Sequence, residues 1–233
     1  MPNEIRTLLI AVMFAMSGGV ASAGPLEDAV AAYSRQDYAT ALSLLRPLAD
    51  QGDAFAQVLL GTLYDKGEGV TENDAEAVKW YRLAADQGNA FAQFNLGTMY
   101  ANGDGVAEND AEAVKWYRMA ADQGLANAQV SLGNKYDNGE GVTENDAEAV
   151  KWFRLAADQG LTNAQVNLGT MYARGEGVTE NAVQAYKWWN IAAAHGEATA
   201  KSNKAILEKQ MTREQIAEAQ KLSAEWKPVT GSK

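Results

Sequence analysis

TENDAEAVKWYRLAADQG, residues 71–88, decides the fold, because the chain writes it again and again. It returns as AENDAEAVKWYRMAADQG at 107–124, TENDAEAVKWFRLAADQG at 143–160 and TENAVQAYKWWNIAAAHG at 179–196, each time 36 residues on. Gly52, Gly88, Gly124, Gly160 and Gly196 hold the register without a slip. A fixed period of this size belongs to a solenoid, whose units bury their apolar faces only by stacking. Positions that recur serve the architecture, and positions that vary are where recognition could lie.

Within the quoted stretch, Ala77, Trp80, Tyr81, Ala84 and Ala85 form one stripe of a helix. Glu76, Lys79, Asp86 and Gln87 are its expected wet side. Asn73 stands three residues before Glu76, an Asn variant of the capping box, and Asn109/Glu112, Asn145/Glu148 and Asn181/Gln184 repeat it. Gly88 closes the helix. Upstream, Ala56, Leu60 and Tyr64 mark a first helix, ended by Gly67-Glu68-Gly69-Val70. Gly61 sits inside that helix at a cost of about 1 kcal/mol against Ala. Its return as Gly97, Gly133 and Gly169 predicts a close approach there.

These residues resemble the Sel-one-like repeat family, relatives of the tetratricopeptide repeats. The shared pattern is A-x-A-Q-x-x-L-G-x-x-Y-x-x-G-x-G-V followed by A-x-x-W-x-x-x-A-A-x-x-G, at 54–88, 90–124, 126–160 and 162–196. The fold expected is all-α, an α/α solenoid of antiparallel helix pairs with a 36-residue repeat. The solenoid is expected over 24–228, with a degenerate opening pair at 26–51 and full repeats at 53–88, 89–124, 125–160 and 161–196. Capping helices follow at 197–227 and a disordered tail at 229–233. Pro47 is expected to disturb the opening pair. Thr212 and Gln215 have the spacing of a capping box for the last helix.

The resemblance implies an adaptor that binds a protein or peptide in a concave groove, and many bacterial relatives are exported. It also brings two alternatives, a peptidoglycan or carbohydrate binder and a β-lactam or cell-wall hydrolase. The relatives tied to β-lactams are cysteine-rich, whereas this chain has no cysteine.

Of the 233 residues 47% are hydrophobic, enough to build a core layer by layer, and the net charge is −10. With no run of Lys or Arg, counterion release has no basic patch to act through, and nucleic-acid binding is not expected. Residues 1–23 read as a cleavable secretory signal: a weakly basic lead, the apolar run TLLIAVMFAM at 7–16, and Ala-Ser-Ala ending at Ala23. The expected location is therefore periplasmic or secreted, with no stable membrane insertion after cleavage near Ala23 and capped ends favouring a monomer.

No catalytic residue, cofactor or metal is assigned. The one histidine, His195, takes the place of Gln87, Gln123 and Gln159 and reads as a helix C-terminal residue. No serine has a lysine three residues on, and no G-x-S-x-G occurs. The Asp137–Asp146 loop is faintly calcium-like but misses the EF-hand spacing.

Recognition is expected on the first helices, on the stripe opposite the core. In order it comprises Phe55, Leu59, Thr62 and Lys66; Phe91, Asn95, Thr98 and Asn102; Asn127, Ser131, Asn134 and Asn138; Asn163, Asn167, Thr170 and Arg174. Asparagine both donates and accepts, so a row of them can grip a peptide backbone or sugar hydroxyls. Arg174 and Lys66 are the candidates for holding a carboxylate.

Overall fold

The structure, a computed structural model, describes residues 24–229. The expected leader at 1–23, and the expected tail apart from Val229, lie outside the described residues. Among the described residues there are twelve helices and no strand. They are α1 (Pro25–Ser34), α2 (Tyr38–Asp50), α3 (Ala54–Lys66), α4 (Asp74–Asp86), α5 (Ala90–Asn102) and α6 (Asp110–Asp122). Then come α7 (Ala126–Asn138), α8 (Asp146–Asp158), α9 (Thr162–Arg174), α10 (Ala182–Ala194), α11 (Ala198–Leu207) and α12 (Arg213–Glu225). Consecutive helices pack together from α1 to α5 and from α7 to α11, and α12 packs on α10, as an α/α solenoid requires. The chain divides inside α6, after Trp116, into two compact units.

Local chemistry sets the helix ends. Asn73, Asn145 and Asn181 each cap their helix by accepting from the third residue on, Glu76, Glu148 or Gln184. The box is not closed from the other side. The N–H of Asn73 donates instead to the carbonyl of Tyr64 at 2.9 Å, and Asn145 and Asn181 do the same to Tyr136 and Tyr172. The cap thus ties the second helix to the end of the first. Glu76 and Glu148, released from capping, pair with Lys79 and Lys151. Thr212 and Gln215 do form a full reciprocal box, each accepting from the other's backbone N–H. The first helices end on left-handed glycines: Gly67, Gly103, Gly139 and Gly175.

The mid-helix glycines have the packing reason expected of them, and the neighbour is an aromatic ring. A Cβ on Gly61 would stand 2.8 Å from the Tyr81 ring. On Gly133 it would meet Phe153 at 2.6 Å, and on Gly169 Trp189 at 2.7 Å. The ring of the second helix lies directly on the backbone of the first. Trp116, Trp152 and Trp188 are buried beside it, whereas Trp80 in the first full repeat is half-buried, short of its expected place in the core.

Two polar ties recur that the pattern did not announce. Gln57, Gln93, Gln129 and Gln165 are buried, and each donates to the carbonyl eight residues back: Ala49, Ala85, Ala121 or Ala157. Each buried amide thereby satisfies its donor, although the Gln165 Oε1 is left without a partner. Arg46, Arg82, Arg118 and Arg154 each donate to the hydroxyl of Tyr64, Tyr100, Tyr136 or Tyr172 on the next helix. Each guanidinium also lies 5.3 to 5.8 Å from the ring centre of its tyrosine.

Candidate interaction face

In the first unit, most of the expected stripe is not a free surface. Leu59 is 0% exposed, in one cluster with Leu26, Ala29, Tyr33 and Leu45 of the opening pair. Thr62 is also buried; it donates to the Val58 carbonyl and receives the Tyr81 hydroxyl. Phe55 and Phe91 are half-buried against the same core. This corrects the expectation for Leu59. A helix apolar on every side is enclosed on every side, and α3 carries Val58, Leu59, Leu60 and Leu63, all buried. The signal was legible in Leu59 itself, which replaces the Asn95, Ser131 and Asn167 of the later repeats. Of the remaining positions in this unit, Asn95 and Thr98 are half-buried. Lys66 is exposed, and Asn102 is exposed and donates to Asp104 at 3.0 Å.

In the second unit the stripe stays accessible. Asn134, Asn138, Asn163 and Arg174 are exposed; Asn127, Ser131, Asn167 and Thr170 are half-buried. The structure brings two of them together across a repeat: the Asn167 side chain donates to that of Asn134 at 3.2 Å. Each amide keeps further donor or acceptor capacity for a ligand. Thr170 donates to its own helix at the Val166 carbonyl and is spent locally. At the end of the stripe, Thr170 and Arg174 line a cleft of about 260 Å³ with Trp189, Asn203, Ile206 and Leu207. Arg174 is paired at 3.6 Å with Glu176, an exposed contact of little energy that a ligand carboxylate could replace.

The charge around this end is mixed. Burial raises the Asp137 carboxyl above the usual range, with Asp146 and Glu176 pushing the same way and Arg174 opposing. Asn138 donates to Glu140, which also pairs with Lys135. Among the described residues no group of three or more His, Cys, Asp or Glu is placed to hold a metal ion. His195 lies with Nδ1 3.0 Å from the Ile191 carbonyl, at the end of its own helix. Among the described residues no helix is long and apolar enough to cross a membrane.

A repeated frame of glycine, aromatic and amide ties, with a stripe that changes from repeat to repeat, defines an α/α repeat protein. The profile of the Sel1 repeat matches residues 32–53, 54–89, 90–125, 126–161 and 162–197, and the chain belongs to that family. Among solved structures it is similar to a Sel1 repeat protein from Oxalobacter formigenes, with 35% identity and a TM-score of 0.76 over 88% of this chain and 86% of that one. It is also similar to a protective antigen of uropathogenic Escherichia coli with an SLR fold, at 40% identity and a TM-score of 0.75. That match covers 80% of this chain but only 40% of the antigen. No curated protein matches the sequence. Sel1 repeats generally mediate protein interactions and are typically non-catalytic scaffolds.

Proposed function

We propose that this protein is an exported, non-enzymatic scaffold of the bacterial cell envelope that holds a protein or peptide segment against its first-helix stripe. The observation that carries the reading is the Asn134–Asn167 contact on a face whose residues change from repeat to repeat. Paired amides suit the alternating N–H and C=O groups of an extended peptide, which they can bind without demanding one sequence. The adjoining cleft offers apolar walls from Ile206, Leu207 and Trp189, with Arg174 at hand for an acidic group.

The test is capture from an envelope extract by the mature chain, run beside the double variant Asn134→Ala/Asn167→Ala. The expected result is a protein retained by the parent and lost by the variant, with equal melting temperatures for the two. Equal capture by both would remove the stripe from the reading. Export is checked separately: the intact mass of the cell-derived protein should correspond to a chain starting at Gly24.

A further inference from the structure

The stripe runs on past the fourth repeat. Counted forward by its own 36-residue period, Asn167, Thr170 and Arg174 return as Asn203, Ile206 and Gln210. All of these except Asn167 line the cleft of about 260 Å³. The cleft is therefore a part of the stripe, formed where α9 and α11 stand side by side. The α11 helix starts in register with α9, Ala198 against Thr162, but ends at Leu207, three residues before the counterpart of Arg174. The last turn of α9 is left without a matching turn beside it.

Hydrogen bonding changes at the same step. One repeat earlier, Asn167 donates to Asn134. The equivalent pair is Asn203 and Thr170, and the Thr170 hydroxyl is given to Val166. Among the described residues the half-buried Asn203 side chain makes no hydrogen bond, so its amide is left for a ligand. The walls are apolar. Trp189 is buried with its indole N–H donated to the Val166 carbonyl at 3.2 Å, so its ring offers only carbon, and Ile206 is 57% exposed. Arg174 is the one charged residue in the lining, and its exposed pair with Glu176 is readily exchanged for another carboxylate.

Size narrows the ligand. A cavity of about 150 Å³ holds a benzene ring, and sites for drug-sized molecules begin near ~300 Å³. The cleft thus fits one large side chain. In an extended segment, side chains on one face recur every second residue, about 7 Å apart. A carboxylate two residues from the buried side chain lies on the same face as it and faces the chain's arginine.

We infer that this cleft is a specificity pocket for an extended segment of a partner protein, taking one large apolar side chain with an Asp or Glu two residues away on Arg174 and the intervening backbone on Asn203. The inference rests on the reading of the stripe as a peptide-holding face and adds to it what the peptide must contain.

The probe is a phage-displayed library of random peptides, selected on the full mature chain. Enriched sequences should share a Leu, Ile or Phe with an acid two residues away. Made as free peptides, they should bind at least tenfold more weakly to Ile206→Gln and to Arg174→Gln. Both positions are exposed, so both variants should melt with the parent; Ile206→Ala or Arg174→Ala replaces one that does not. Selection on Arg174→Glu should keep the apolar residue and exchange the acid for Lys or Arg, which a merely structural arginine would not bring about. The pocket is overturned if no sequence is enriched, if the enriched ones lack this pair, or if their binding is indifferent to Ile206 and Arg174. Peptides lost by Asn134→Ala/Asn167→Ala yet held by both cleft variants would reject the pocket and leave the stripe standing. Dimerisation of the chain alone, abolished by Ile206→Gln, would give the cleft to a second copy and also reject the partner segment.

Discussion

The first full repeat and the third share a frame and differ in what they turn outward. In both, a second-helix ring lies on a first-helix glycine, Tyr81 on Gly61 and Phe153 on Gly133. In both, a buried glutamine ties back to an alanine carbonyl, and a second glutamine caps it: Gln87 on Gln57, and Gln159 on Gln129, each at 2.8 Å. Yet α3 is apolar all round and enclosed, while α7 shows Asn134 and Asn138 to solvent. The frame makes the repeat; the stripe decides whether that repeat closes the core or offers a surface.

The shared frame should be the costliest thing to break. Trp152 is buried in the third repeat, and Trp152→Ala should lose roughly 3–5 kcal/mol. Trp80, half-buried at the equivalent place, should lose less when cut to alanine. Chemical denaturation of both variants measures the difference, and equal losses would mean that burial does not separate the two repeats.

The difference in the stripe is tested by exchange. Leu59→Asn puts an amide with no partner into the enclosed helix and should cost about 2–5 kcal/mol. The reciprocal Ser131→Leu on the accessible helix should change stability by no more than about 0.5 kcal/mol. If the exchange were symmetrical, the stripe would not distinguish a closing repeat from a presenting one.

What was legible in the sequence follows the same division. Helix ends, the glycines that end them and the close approach at the mid-helix glycines were readable because they depend on residues within one repeat; that the neighbour is an aromatic ring, as at Gly61, Gly133 and Gly169, was not. For Leu59 the sequence carries the apolar side chain where later repeats have Asn95, Ser131 and Asn167, but not its cover, which Leu26, Tyr33 and Leu45 of the degenerate opening pair supply without the repeat's motifs. Gln87 lies on the wet side, as its place in the helix implies, and it also donates to Gln57, a tie that its place does not show. The path of α12 across α10 has no local signature, because a packing partner distant in sequence leaves none in a single periodic stripe.

The fourth repeat gives a natural test of the glutamine tie. His195 replaces the second glutamine and lies with Nδ1 by Ile191, and the Oε1 of Gln165 is buried without a hydrogen-bond partner. Gln159→His, copying this arrangement into the third repeat, should orphan Gln129 and cost about 1–3 kcal/mol. The reverse change, His195→Gln, should gain about 0.5–1.5 kcal/mol by restoring the donor. A melting series of the two variants checks both signs, and a loss from His195→Gln would show that the orphan carbonyl is satisfied otherwise.

The smallest effect concerns charge, at a position where the repeats again disagree: Asp65, Ala101, Asp137 and Ala173 are equivalent. Burial raises the Asp65 carboxyl above its usual range; the Tyr81 hydroxyl and Lys66 pull it down, and Asp74 and Asp104 push it up. The folded protein therefore holds this proton more tightly than the unfolded chain does. Asp65 penalises folding in full above its folded pKa, and the penalty disappears below the unfolded value of about 3.9. Asp65→Asn keeps an acceptor for Tyr81 and removes the charge. It should melt above the parent at pH 7 and converge with it near pH 3, whatever the other carboxylates contribute to both. Since alanine already stands at this position in the second and fourth repeats, the frame itself does not need the carboxylate. A variant that melted below the parent at pH 7 would show that the Tyr81–Asp65 hydrogen bond outweighs the burial of the charge.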